Sequence, residues 1–246
     1  MKAKIGASAL ALALLLAACG GEDSQQANGG TASAAGAPQL KQVEAPNGDW
    51  TQVVEETPEG GFRMGNPNAP VKLVEYASLT CPHCKAFSDE GYGSLTGQYV
   101  KSGQVSYEFR NFVLNPVDLS ATLLARCAGA QAFFPTAEQL FAQQQQWTNI
   151  PPAEQQRIQN LPREQQTIAY AQAGGLDQFF QQRGLPQQKV QSCLSDQQQI
   201  ARLVEFNNKG MAEGVQGTPT FFINGDQVEN VTTWQALEPE LRKAVG

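Results

Sequence analysis

Apolar and polar positions divide the chain from Pro46 onward into stretches with different periods. Val71 to Ala77 is an apolar run interrupted by Lys72 and Glu75. From Gln104 to Phe112, Val105, Tyr107 and Phe109 alternate with polar partners. Both patterns predict strands. Between them Pro82 to Lys101 reads as a helix, weakened by Gly91, Gly93 and Gly97. The unit is β-α-β, and its connection is expected to be right-handed. Upstream, Trp50 to Glu55 alternates loosely and predicts one more strand, followed by turns at 58–61 and 66–70.

The period then becomes helical, over about 117–213. Asp118 is placed as the cap of a helix carrying Leu119, Leu123 and Cys127 at i, i+4 and i+8. Thr136-Ala137-Glu138-Gln139 has the form of a capping box, opening a helix that turns Leu140, Phe141 and Trp147 inward. Helical stretches follow at 163–173, 177–183 and 187–194. A last one at 196–213 puts Ile200, Leu203, Val204 and Met211 on one face. The glutamine runs 143–146 and 197–199 read as solvated faces. Strand character returns at Thr220 to Ile223, where Asn224-Gly225 signals a hairpin with Gln227 to Glu229. A terminal helix begins at Trp234, and Pro239 either kinks it or starts its second half.

The first residues change the setting. Lys2 and Lys4 precede an apolar run, Ala7 to Ala18, too short to span a bilayer but suited to a signal peptide. It ends in Leu16-Ala17-Ala18-Cys19, which resembles a bacterial lipobox and implies cleavage before Cys19 and lipid on its sulfur. The expected organisation is a signal peptide over 1–18, a lipidated tether over 19–45 and one domain over 46–246. The tether is rich in Gly, Ala, Ser and Gln. As a flexible coil its 26 residues from Gly20 would reach roughly 28 Å. Losing Lys2 and Lys4 takes the formal charge from −6 to −8, which argues against nucleic acid and leaves acyl chains as the membrane anchor. Gly20 after Cys19, in place of Asp, favours the outer membrane.

Candidate chemistry centres on Cys81-Pro82-His83-Cys84, at the junction of strand and helix. Cysteines three apart share a helix face, and the N–H groups at the helix start stabilise a thiolate on the first sulfur. A redox-active dithiol is the favoured reading, because thiolates attack disulfides. The alternatives are a permanently closed brace and half of a zinc site. The chain offers His83 as its one histidine and has no second C-x-x-C. Cys127 and Cys193, the two cysteines left after lipidation, both lie on inward faces. In an oxidising compartment they are expected to form a structural disulfide, against the alternative of two small buried apolar side chains.

The order strand, C-P-H-C, helical block and Gly217-Thr218-Pro219-Thr220-Phe221-Phe222-Ile223-Asn224-Gly225 resembles the thioredoxin superfamily, and within it the DsbA-type thiol oxidoreductases. The resemblance covers nearly everything from residue 50. It implies an α/β thioredoxin fold, β-α-β then β-β-α, with an all-helical insertion. It also implies that Cys81 is the exposed nucleophile, Cys84 the buried partner that resolves the mixed disulfide, and His83 a neighbour that helps hold the thiolate. Pro219 matches the cis-proline, with Thr218 free to pair with an extended substrate backbone. Glu75 matches a buried acid that manages the Cys84 proton. No metal or organic cofactor is implied. The implied partners are exported proteins with free thiols and a membrane quinone-linked oxidase that recycles the dithiol. Threonine before the cis-proline is associated with isomerase and reductase branches. Residues 20–45 cannot build a dimerisation domain, which favours a monomeric oxidase.

Overall fold

The computed structural model describes residues 40–246. The expected signal peptide, Cys19 and the tether as far as residue 39 lie outside the described residues. The folded part reaches back before Pro46. The Val43 N–H donates to the Ser102 carbonyl at 2.8 Å, and the Trp50 indole donates to the Val43 carbonyl at 2.9 Å.

The expected strand at 50–55 is instead a 3-10 turn at Trp50–Gln52, capped by Asp49, and a short strand β1 (Val54–Glu56). Asp49 accepts from the Thr51 N–H, and this local bond outcompetes a ladder that the edge position cannot complete. The segment after Gly61, read as connection between turns, forms β2 (Phe62–Met64), which pairs back onto β1. Then come β3 (Val71–Ala77), α1 (Pro82–Ser94), whose path continues as a π-helical turn over Leu95–Val100, and β4 (Val105–Asn111). Gly91 has a packing reason: a Cβ there would lie 2.8 Å from the Trp234 Cβ.

The helical block is α2 (Pro116–Cys127), α3 (Ala130–Ala142), α4 (Gln144–Thr148), α5 (Pro152–Gln159), α6 (Arg163–Ala173), α7 (Leu176–Gln181), α8 (Gln187–Leu194) and α9 (Gln197–Ala212). The chain ends with β5 (Thr220–Ile223), β6 (Asp226–Gln227) and α10 (Trp234–Val245), which runs through Pro239 as one helix. The sheet order is β1-β2-β4-β3-β5-β6, with β3 parallel to β4 and the other pairs antiparallel. This is the expected thioredoxin arrangement, with the helices inserted between β4 and β5.

Three helix details differ from expectation. Asn115, not Asp118, caps α2, accepting from the Asp118 N–H at 2.9 Å, and the Asp118 side chain is fully buried. The capping box at Thr136 lies in mid-helix, because α3 begins at Ala130 and passes Pro135. Tertiary packing outweighs the local signal here. Phe133 stacks on Phe62 with ring centroids 3.9 Å apart and meets Phe109 edge-on at 5.3 Å. Burying two such rings contributes about 3–6 kcal/mol, comparable to the cost of an interior proline. On α9 only Leu203 and Gly210 are buried, while Val204 and Met211 are 57% and 54% exposed. The helix approaches the sheet at Gly210, where a Cβ would sit 2.9 Å from the Tyr76 ring, so its inner surface is narrow.

Cys127, at the end of α2, is bonded to Cys193 of α8, with Cα atoms 6.2 Å apart across 66 positions. Closing that loop stabilises by about 4 kcal/mol on the chain-entropy model. The double variant Cys127→Ala/Cys193→Ala should therefore melt on the order of 10 °C lower in a circular-dichroism scan. Its Cys81–Cys84 redox potential should not move; a shifted potential would mean that the second pair exchanges electrons with the first.

Candidate active site

β3 delivers the chain to a short loop, Ser78 to Thr80, and Cys81 is the N-cap residue of α1 with Pro82 as its first helical residue. Proline fits there because its missing N–H would be unpaired in any case. Cys81 has no side-chain cap of its own. Its carbonyl accepts the Lys85 N–H at 3.1 Å, which starts the helix ladder and leaves the sulfur over the free N–H groups of the first turn.

The two sulfurs sit in opposite electrostatic surroundings. Cys81 is pulled from its ordinary 9.0 down to about 5. The Cys84 thiol hydrogen-bonds to it, burial works the other way, and Thr218 and the main-chain N–H groups of Cys84 and His83 add to the lowering. Cys84 is fully enclosed and pushed well above 9.0, first by burial, then by the hydrogen bond to Cys81 and by the Glu75 charge. One sulfur is an anion at neutral pH and the other keeps its proton. The two are not bonded to each other in this structure.

Cys81 is less open than expected. Only 6% of the residue is exposed, and its sulfur lies 3.1 Å from the Thr218 carbonyl. Thr218–Pro219 is a cis peptide, and β5 follows it, pairing with β3 so that Phe221 lies opposite Glu75. The cis-proline loop thus forms the lid over the nucleophile. His83 is exposed, and what reaches Cys81 is its main-chain N–H.

Glu75 is 2% exposed in mid-β3 and accepts the Tyr107 hydroxyl at 2.5 Å. Burial raises it from 4.5 to about 8; the Tyr107 bond opposes this, while Glu138 and Cys81 reinforce it. A buried carboxyl poised near neutrality can exchange a proton with a neighbouring thiol.

Two groups that carry no functional signal in the sequence hold the loop before Cys81. The solvated face expected of the run 143–146 does not include Gln144. This residue is 5% exposed, and its side-chain amide donates to the Leu79 carbonyl at 2.8 Å and the Cys81 carbonyl at 3.0 Å. Asp118, read as a cap, accepts the Ser78 hydroxyl at 2.6 Å and the N–H groups of Leu79 at 3.1 Å and Leu114 at 2.9 Å. Burial lifts it to about 6. Nothing in the run Gln143 to Gln146 distinguishes Gln144. Only its position at the start of α4, facing the loop, gives it this part.

Zinc would need more ligands than Cys81, Cys84 and His83. Cys127 and Cys193 are bonded to each other, and among the described residues no cluster of three His, Cys, Asp or Glu side chains is placed to hold a metal.

Comparison with known proteins agrees with this geometry. The family pattern described as thioredoxin matches residues 57–242. The crystal structure of a protein-disulfide isomerase from Novosphingobium aromaticivorans is 31% identical, covers 75% of this chain and 96% of its own, and superposes with a TM-score of 0.72. Alpha-DsbA1 of Wolbachia pipientis shares the fold at 22% identity, with a TM-score of 0.63 over 77% of this chain and 92% of its own. A Rickettsia prowazekii protein, named by inference as a protein-disulfide oxidoreductase, is 28% identical over 204 residues, 79% of this chain and 68% of its own length. Its Rickettsia typhi counterpart is 30% identical over 181 residues, 73% of this chain and 60% of its own length. With its dithiol at the start of α1, its cis-proline loop against that dithiol, and these likenesses, the chain belongs to the thioredoxin family, among its thiol:disulfide oxidoreductases.

Proposed function

We propose that the protein introduces disulfides into exported proteins on the periplasmic side of a bacterial membrane. The observation that carries this reading is the placement of Cys81 at the start of α1 against the cis Thr218–Pro219 loop, with Cys84 enclosed one turn deeper, which lowers the first thiol and raises the second. A stabilised Cys81 thiolate stabilises the reduced enzyme, and so makes the Cys81–Cys84 disulfide a ready electron acceptor.

The reaction begins when a substrate thiolate attacks the Cys81 sulfur of the disulfide form. The bond to Cys84 breaks, Cys84 leaves with the electron pair, and the buried Glu75 supplies its proton. A second substrate thiolate then attacks its partner sulfur in the mixed disulfide. Cys81 departs as the thiolate that the helix start favours, and the substrate is oxidised by two electrons. Pro219 and Thr218 line the sulfur and offer backbone to an extended substrate, while His83 contributes its main-chain N–H. Regeneration by a membrane quinone-linked oxidase follows from the family likeness.

Supporting the location are the short apolar leader and Leu16-Ala17-Ala18-Cys19. They fit a lipoprotein cleaved to begin at Cys19 and tethered by the chain that precedes Val43, with the folded domain facing the periplasm and Gly20 favouring the outer membrane. A second reading, disulfide isomerase, is favoured by Thr218 and by the Novosphingobium relative described as one. Titration of the dithiol against glutathione buffers separates the two. An oxidase's pair is reduced by mildly reducing mixtures. A more reducing potential, with rearrangement of scrambled substrates by the reduced protein, favours the isomerase.

Cys81→Ser should abolish thiol oxidation, and Cys84→Ala should accumulate mixed disulfides with substrate on non-reducing gels. Full activity of Cys81→Ser would end the proposal. The Cys81 pKa is depressed, so its thiolate persists above about pH 5 and is lost as pH falls through that value. Iodoacetamide alkylation of the reduced protein should therefore stay constant from pH 8 to 6 and drop below about pH 5. In Cys84→Ala, which removes the strongest donor, the drop should move to higher pH. Finally, Cys19→Ser should shift the protein from the membrane to the soluble fraction of fractionated cells; retention in the membrane would contradict the lipid anchor.

A further inference from the structure

Resting on that reading of Glu75, a proton must reach Cys84 from solvent, and both groups are buried. Cys84 is fully buried and Glu75 is 2% exposed. Each reduction of the disulfide takes one proton into this enclosure and each reoxidation returns it. An isolated buried acid could serve once and would then remain a stranded carboxylate, at a cost of several kcal/mol.

A small cavity joins these groups to the helical insertion. Glu75, Cys84, Ser88, Tyr92, Tyr107 and Glu138 supply its polar walls, and the rings of Phe87, Phe109, Phe134 and Phe141 close the remainder. Its volume is about 10 Å³, room for about one water. Glu138 is part-exposed on α3 and accepts the Ser88 hydroxyl at 2.7 Å, which fixes one carboxylate oxygen toward α1. On the same stretch of α1, flanking Ser88 in sequence, Lys85 and Asp89 form an ion pair.

The other groups facing this cavity cannot carry the proton out. Tyr107 is 3% exposed, donates inward to Glu75 and is pushed far above its ordinary value, first by burial and then by the Glu75 charge. Tyr92 is likewise raised, by burial and then by Glu138. Cys81 lies outside the cavity and carries no proton at neutral pH. Of the two part-exposed groups that line the cavity, Tyr92 and Glu138, Glu138 is the one whose acid titrates near neutral pH. Burial raises it to about 7, countered by Ser88 and reinforced by Asp89, while Lys85 lowers it. It and Glu75, at about 8, therefore exchange protons with little difference in affinity.

We propose that Glu138 is the outer station of a proton relay that connects Cys84 to solvent through Glu75. When Cys84 leaves as a thiolate, Glu75 gives it the proton from its carboxyl group. The Glu75 carboxylate is recharged from a water in the cavity, that water takes a proton from Glu138, and Glu138 takes one from bulk solvent. On reoxidation each transfer reverses, so no further oxidant or reductant is involved. The insertion thereby contributes a working group to the chemistry as well as a cover.

The test follows hydrogen-deuterium exchange at the Cys84 thiol of the full-length reduced protein, read from its infrared S–H band after transfer to D2O. Glu138→Gln, which keeps a group to pair with Ser88 but has no acid proton, should slow exchange at least tenfold without slowing amide exchange in α1 and α3. Glu75→Gln should slow it similarly. In Glu138→Ala, added formate should restore the rate in proportion to its concentration. A purely structural role for Glu138 predicts faster exchange through opening, no formate response, or both. Normal exchange in Glu138→Gln with slow exchange in Glu75→Gln overturns the relay and spares the Glu75 reading, and normal exchange in both overturns the two together. Slow exchange in Glu138→Gln alone also overturns the relay, since the path would bypass Glu75. Should Glu138→Gln not fold, carbon-13 NMR of carboxyl-labelled glutamates in the unaltered protein decides. Oxidation must shift two resonances, from Glu75 and Glu138, and a shift of Glu75 alone overturns the relay.

Discussion

The hydrogen bond from the Cys84 thiol to the Cys81 sulfur is the contact around which the site is organised. It holds only if Cys81 stands at the mouth of α1, where N–H groups face it, and Cys84 lies a turn deeper with no access to water. The same burial that forbids charge on Cys84 strengthens its donation to Cys81, because a hydrogen bond gains strength as the local dielectric falls. Most neighbouring features serve that placement. Pro82 starts the helix without wasting a donor, the Thr218–Pro219 loop covers the nucleophile, and the Phe87 and Phe221 rings, with centroids 4.7 Å apart, close the floor.

Holding the helix mouth still falls to groups from outside the β-α-β unit. Asp118 of α2 and Gln144 of α4 bind both faces of the loop Ser78 to Cys81, the first accepting from its N–H and hydroxyl groups, the second donating to its carbonyls. An unpaired buried amide or carbonyl costs about 1–3 kcal/mol, so each of these bonds penalises any other loop conformation. The insertion is therefore fastened to the active site by polar contacts, while its apolar side packs on the sheet through Phe133 and Phe134. Its far end is held by the Cys127–Cys193 bond, which ties α2 to α8 and so limits how far α2 and its Asp118 can move.

Among the described residues, structural buried charge is held by several hydrogen bonds. Arg126 threads between the rings of Phe62 and Phe206, donating to the Gly60 carbonyl at 2.8 Å and to Glu56 at 2.7 Å. Glu108 accepts from Thr57 at 2.7 Å and Arg110 at 2.8 Å. Glu75 breaks this rule. Its one hydrogen-bond partner is a tyrosine hydroxyl, so burial goes largely uncompensated and lifts its proton affinity to within reach of neutral pH.

The sequence by itself determined the parts that rest on local chemistry. Val71 to Ala77 and Val105 to Asn111 are strands on both faces of which apolar side chains find cover, and their periodicity says so. The C-P-H-C motif carries its own helix start, and Thr218-Pro219 with Asn224-Gly225 fixes a loop and a hairpin from a few residues each. Tertiary structure alone decided the rest, because those choices depend on partners far away in the chain. β2 is three residues long and pairs with β1 and β4, and no period can be read from so short a run. Thr136 lost its cap to the packing of Phe133 and Phe134 upstream, and Val204 and Met211 lost their cover because α9 meets the sheet at a glycine. Gln144 and its neighbours Gln143, Gln145 and Gln146 are chemically identical, so composition cannot tell which of them is buried. Its burial against Leu79 and Cys81, 65 and 63 positions away, is a property of how α4 packs and of nothing written locally.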